Sequence, residues 1–200
     1  METATRDYTG YLAYYLRASA CGGHLDRVKA IIENGKDITS GDIYSAIISG
    51  VSYDEYSVVE YLLPLIIDEN VWDIDRLFES ATSRSCLDML QLFERYGFDL
   101  HRHNEKAMRT AFLRGRMPVA IYLIEDGADI HVLDDEIIKE CSTSINIDFV
   151  NRMVPYLLSV DVFDKEVLEL VSENLMCNGF FEMYDYIKEI MMCRADYIQI

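Results

Sequence analysis

Apolar residues return along this chain with the spacing of one helix face, in short stretches divided by polar breaks. Three stretches, Gly23 to Ile38, Ser85 to Leu100 and Gly115 to Ile130, each read as a short amphipathic helix ending in Gly-x-Asp followed by Ile or Leu. Ile147 to Val154 is a weaker fourth. One helical position recurs at Val28, Val59, Leu90, Ala120, Val150 and Tyr184, in steps of 31, 31, 30, 30 and 34 residues. A period of that size held over six units is the mark of a repeat array. Pro64 through Trp72 and Asp73 is mirrored 91 residues on by Pro155 through Phe163 and Asp164. Proline inside a helix costs about 3 kcal/mol, so the second helices of these two units are expected to end near Pro64 and Pro155.

A first helix is expected before each of these. Small residues recur on it: Ser19 and Ala20, Ala46, Ala81 and Thr82, Thr110 and Ala111, Cys141 and Ser142. Small side chains let paired helices approach closely. Gly35, Gly97 and Gly127 are placed to end second helices in the left-handed conformation, and Pro118 to open one. Asp134 and Asp164 read as N-caps. The expected core is Val28, Ile31, Ile32, Val59, Leu62, Leu90, Phe93, Ile121, Leu123, Val150 and Ile187.

The runs Gly23-His24-Leu25, Glu33-Asn34-Gly35-Lys36-Asp37-Ile38 and Glu125-Asp126-Gly127-Ala128-Asp129-Ile130 resemble the second half of the ankyrin repeat. With the compact period and the Asp129-Ile130-His131 ending, the chain is most similar to the divergent ankyrin-like arrays of giant DNA viruses. It departs from the family pattern in lacking a Thr-Pro-Leu-His opening, and units 2 and 5 lack the glycine. The resemblance implies an all-α fold, an α-solenoid of about six helix–turn–helix repeats. Their bounds are about 8–38, 39–70, 71–100, 101–130, 131–162 and 163–193, in one domain over 1–200 with a short tail at 194–200. It also implies a non-enzymatic module that binds a partner protein through a concave face and loop tips. Stability in such an array sums over neighbouring units.

Charge narrows the partner. The net charge is −17, with 18 basic and 35 acidic side chains. Nucleic acid and anionic membrane both require clustered cations, so neither is expected as a partner. Residues 84–116 nevertheless carry a net +3 between flanks of −8 and −12. This island holds His101, Arg102, His103, Lys106 and Arg109, with Arg114 and Arg116. Two uses stay open for it: charge balance along the array, or a seat for an acidic partner segment. Trp72 and its equivalent Phe163 stand in linking loops, either as exposed contact anchors or as rings tucked under their own loops. His101 and His131 share one repeat position, with loop bracing favoured over metal binding. The candidate partner-binding set is thus Trp72, His101, Arg102, His103, Lys106, Arg109, His131 and Phe163.

No cofactor, metal or catalytic residue is expected. No nucleophile motif or glycine-rich phosphate loop is present, and the paired carboxylates sit where helix N-termini favour negative charge. Five scattered cysteines read as reduced thiols. With no signal-like leader and no apolar run long enough for a membrane span, a cytoplasmic protein is expected, in the host cytoplasm if viral. A monomer is expected. The alternative is a structural protein that self-assembles through its apolar last unit, around Ile190-Met191-Met192-Cys193.

Overall fold

The structure, a computed structural model, describes residues 9–35, 37–66, 73–144 and 146–197. Among the described residues every regular element is helical, with twelve α-helices, one 3-10 turn and no strand. The helices fall into pairs: α1 (Thr9–Cys21) with α2 (Leu25–Asn34), α3 (Ser40–Ser52) with α4 (Tyr56–Leu62), and α5 (Ile74–Arg84) with α6 (Leu87–Arg95). The other three are α7 (Arg102–Leu113) with α8 (Met117–Glu125), α9 (Val132–Thr143) with α10 (Ile147–Val160), and α11 (Lys165–Cys177) with α12 (Phe181–Tyr197).

By internal contacts the chain divides into two compact units, 1–100 and 101–200. In the first, α1 packs on α2 and α3, α3 on α4 and α5, and α5 on α6, while α4 touches both α2 and α6. In the second, α7 packs on α8 and α9, α9 on α10 and α11, and α11 on α12. Within each unit, first helices therefore lie against first helices. The small residues expected on them are at these contacts: Ser19, Ala20, Ala46, Ala81, Thr82, Ala111, Cys141 and Ser142 are buried, and Thr110 is half-buried. Gly50 makes the closest approach. A Cβ built there would stand 2.8 Å from Val59 Cγ2, so α3 can meet α4 only without a side chain at this point. Phe78, Phe93 and Phe98 fill the end of the first unit, with ring centroids 5.6 to 6.4 Å apart.

Local chemistry sets the boundaries. Thr39 and Asp42 form a reciprocal capping box at the start of α3: the Thr39 hydroxyl accepts from the Asp42 N–H at 3.2 Å, and Asp42 Oδ2 accepts from the Thr39 N–H at 3.0 Å. Asp73 and Asn146 cap α5 and α10 by accepting from the N–H of Arg76 and Phe149. Inside every pair the turn is only two or three residues long. Two residues before the second helix, Gly23, Asp54, Ser85, Gly115 and Gly179 all lie in the left-handed region, with φ between 62° and 82°.

Several expectations are corrected. Helix α4 does stop before Pro64, tightening into a 3-10 turn at Leu63–Leu65, but α10 runs through Pro155 to Val160. Burial of Met153, Val154, Leu157 and Leu158 on that helix outweighs the proline penalty, at about 1.5–3 kcal/mol per large apolar side chain. Gly97 and Gly127 are left-handed as expected, but Gly35 is extended, with φ −86°. Glycine is needed there for space, since a Cβ would come within 2.5 Å of the Ile31 carbonyl. Asp134 is not an N-cap; His131 holds that position, and Asp134 lies inside a left-handed turn. Asp164 occupies the cap of α11 without a side-chain cap bond. Of the expected core, Ile31, Ile32 and Ile121 are only half-buried, because α2 and α8 turn Val28, and Val119, Ala120 and Leu123, inward instead.

Candidate functional site

The polar residues singled out by sequence converge most tightly in the second unit, around two histidines. His101 and His131 are the cap residues of α7 and α9. Each is followed by a left-handed turn of three non-glycine residues: His103, Asn104 and Glu105 in one, Leu133, Asp134 and Asp135 in the other. Such backbone costs roughly 1–2 kcal/mol per residue, so it persists only where other contacts hold it. The turn swings the carboxylate four positions on back over the ring. His101 Nδ1 lies 2.8 Å from Glu105 Oε2, and His131 Nδ1 lies 2.5 Å from Asp135 Oδ1.

The second ring nitrogen reaches across the pair. His101 Nε2 is 3.1 Å from Asp126 Oδ2, at the C-cap of α8. His131 Nε2 is 3.4 Å from Asp161 Oδ2, at the C-cap of α10. Each ring thus ties the start of a first helix to the end of its own partner helix. Burial works against charge on both rings, but the facing carboxylates outweigh it and hold both pKa values above the ordinary imidazole value. Asp161 is held below the usual carboxylate range by the Val162 N–H first, then by His131. Glu105 is buried, and its Oε1 accepts from the Asp129 N–H at 3.2 Å. Asp129 Oδ1 in turn accepts from the His131 N–H at 2.9 Å. One continuous polar chain therefore links the two ring sites through Asp129.

The remaining candidates have diverse surroundings. Phe163 is 3% exposed and packs on the His131 ring at 4.9 Å between centroids, so it is the tucked ring of the two alternatives. Arg109 is engaged from the next first helix, where Glu136 Oε2 accepts from its Nε at 3.1 Å and sits 3.0 Å from its Nη2. Arg102 and Lys106 are half-buried, while His103, Arg114 and Arg116 are exposed. Trp72 lies outside the described residues.

Between α9 and α11 runs an open groove of about 550 Å³ lined by Asp134, Asp135, Lys139, Asp164, Lys165, Glu166, Val167 and Leu170. Lys139 pairs with Asp134 and Lys165 with Glu169, which leaves Asp164 and Glu166 to set the sign of its rim. A smaller hollow of about 220 Å³ sits beside His131 and Asp161. Chemistry at these places is limited. Burial pushes the Cys86 and Cys141 thiols up to about 12, which keeps them protonated and poor nucleophiles. No group of three or more His, Cys, Asp or Glu among the described residues is placed to hold a metal ion. No helix among them is long and apolar enough to cross a membrane.

The sequence singled out both histidines but assigned none of the four carboxylates to hold them. Glu105 and Asp135 carried a usable signal, standing four residues after each histidine. Asp126 and Asp161, 25 and 30 residues away, become partners only through the folded hairpin. The chain matches no protein-family model and no curated protein.

Proposed function

We propose that this chain is a non-enzymatic protein-interaction module, an array of six ankyrin-like helix–turn–helix repeats like the divergent viral arrays it resembles, acting in the cytoplasm. One observation carries this: six helix pairs with near-constant short turns, in which first helices pack on first helices within each unit. Side chains at the ends of those helices then form a shared surface fit for recognition rather than an enclosed reaction chamber. The α9–α11 groove is the favoured seat, with Leu170 and Val167 for an apolar anchor and Asp164 and Glu166 for a flanking basic side chain. An acidic partner segment would instead meet Arg114 and Arg116, exposed at the α7–α8 turn.

Capture from native cytosol tests this with three baits: wild type, a groove variant (Asp164→Lys, Glu166→Lys, Leu170→Ser) and a turn variant (Arg114→Glu, Arg116→Glu). Surface substitutions usually stay within about 0.5 kcal/mol, so the turn variant should hardly move in melting, while the groove variant, with two cations at the N-terminus of α11, should lose about 1–2 kcal/mol and stay folded. The groove variant should lose a specific partner that the turn variant keeps. If neither variant changes what is captured, the interface lies elsewhere and the proposed seat is wrong.

A second possibility, self-assembly through the last pair, is favoured by the exposure of Met176, Phe181, Tyr186 and Met192 on α11 and α12. A concentration-independent monomer in light scattering would eliminate it.

A further inference from the structure

Both nitrogens of each ring face a carboxylate. His101 lies between Glu105 and Asp126, and His131 between Asp135 and Asp161. A neutral imidazole has one N–H and one lone pair, so it can donate to only one of two acceptors. An imidazolium donates to both. The geometry around each ring is therefore that of the charged form.

We propose that His101 and His131 are a pair of protonation-controlled locks that close the open ends of the α7–α8 and α9–α10 hairpins and release them when the rings lose their protons. At its short turn each hairpin is joined covalently. At the other end, the imidazolium bridges the first-helix start to the cap of the second helix. When the proton passes to solvent, the ring keeps the N–H toward the nearer carboxylate, Glu105 or Asp135. Its Nε2 lone pair then faces Asp126 or Asp161, and that arm opens. The hydrogen bonds that finish α8 and α10 stand directly behind those arms: Asp126 N–H to Tyr122 O, Gly127 N–H to Ile124 O and Asp161 N–H to Leu157 O. The Asp129 N–H donates to Glu105 and the Asp129 carboxylate accepts from the His131 N–H, contacts that stay made in both protonation states, so each ring opens only its own outer arm.

The charged surroundings are consistent with this. His101 meets Glu105 from α7 and Asp126 from the end of α8. His131 meets Asp135 from α9, Asp161 from the end of α10 and, through its backbone, Asp129 from the preceding loop, with the Phe163 ring on its face. Across the groove from Asp135 lie Asp164, Lys165 and Glu166 of α11. Folding favours the protonated rings, so the locks are fully closed below the ordinary imidazole pKa and are lost as pH rises through the raised folded values. Cys86 and Cys141, with thiols near 12, stay silent over that window.

Two measurements on the full chain test the proposal. Ring-nitrogen NMR should find both nitrogens of His101 and His131 protonated on the acid side of each ring's own titration, with each ring titrating at higher pH than in the urea-unfolded chain. Hydrogen-exchange protection factors, which remove the intrinsic pH dependence of exchange, should fall for Asp126, Gly127 and Asp161 across that same titration. His101→Gln and His131→Gln offer one N–H donor group in place of two opposed ones, so protection at these amides should be low and nearly independent of pH. Should a Gln variant misfold, Asp126→Asn with Asp161→Asn, both changed at the helix ends, should move each ring's titration down toward the unfolded value. Rings that titrate no higher than in the unfolded chain, protection that ignores the titration, or Asn variants that leave the titration unmoved would each overturn the proposal.

Discussion

Phe93 offers the sharpest test of how the first unit is held together. Its ring is fully buried and sits among Phe78 and Phe98, the latter at 6.1 Å and 83°, an edge-to-face pair. Phe93→Ala removes roughly 150 Å² of buried apolar area, worth about 4 kcal/mol at ~25 cal/mol per Å². Losing the edge-to-face contact adds about 0.5–1.5 kcal/mol. The sum, about 4.5–5.5 kcal/mol, lies at the upper end of the usual range of about 3–5 kcal/mol for a buried phenylalanine and corresponds to between three and four decades in the folding equilibrium. Urea unfolding followed by far-UV circular dichroism, with variant and wild type fitted separately for midpoint and slope, measures it. Phe93→Leu keeps most of the volume and should cost about 1.5 kcal/mol. A Phe93→Ala variant within about 1 kcal/mol of wild type at unchanged slope would mean that the three rings are not the core of this unit.

Three further outcomes follow from particular contacts. Gly50→Ala gains about 1 kcal/mol of helix propensity but drives a methyl into Val59 Cγ2, so the net effect should be a loss of about 1 kcal/mol, recovered in part by Val59→Ala and read from thermal melts. Thr39→Ala should cost about 1 kcal/mol through loss of the α3 capping box, whereas Thr39→Ser should be close to neutral in the same melts. With a thiol reagent at neutral pH, the exposed Cys177 and Cys193 should react first and the buried Cys86 and Cys141 last, which peptide mapping of a labelling time course resolves.

What could be read from sequence divides along the range of the forces involved. The helix pairs were legible because each apolar stripe is a local pattern, and the 30- to 31-residue step repeats it. Val28, Val59, Leu90, Ala120 and Val150, named from that step alone, are all fully buried, while the sixth position, Tyr184, is only half-buried. Pro155 misled because its local penalty is visible in sequence, while the burial that outweighs it comes from packing against another helix, α9. The left-handed turns were invisible. Nothing in Asn104 or Leu133 requires positive φ; a contact four residues back holds each turn in place. Arg109 was legible as a cation, but not as the partner of Glu136, 27 residues further on.

The left-handed residue that closes five of the short turns has an evolutionary consequence. The same joint is made by Gly23, Asp54, Ser85, Gly115 and Gly179, three residue types in one backbone shape. A joint that tolerates such drift while keeping its geometry is a natural splice point: a segment cut at Asp54 and rejoined at Ser85 would meet matching backbone on both sides. The gene can therefore lengthen or shorten in steps of whole helix pairs, by unequal exchange at these points, without remaking the connection.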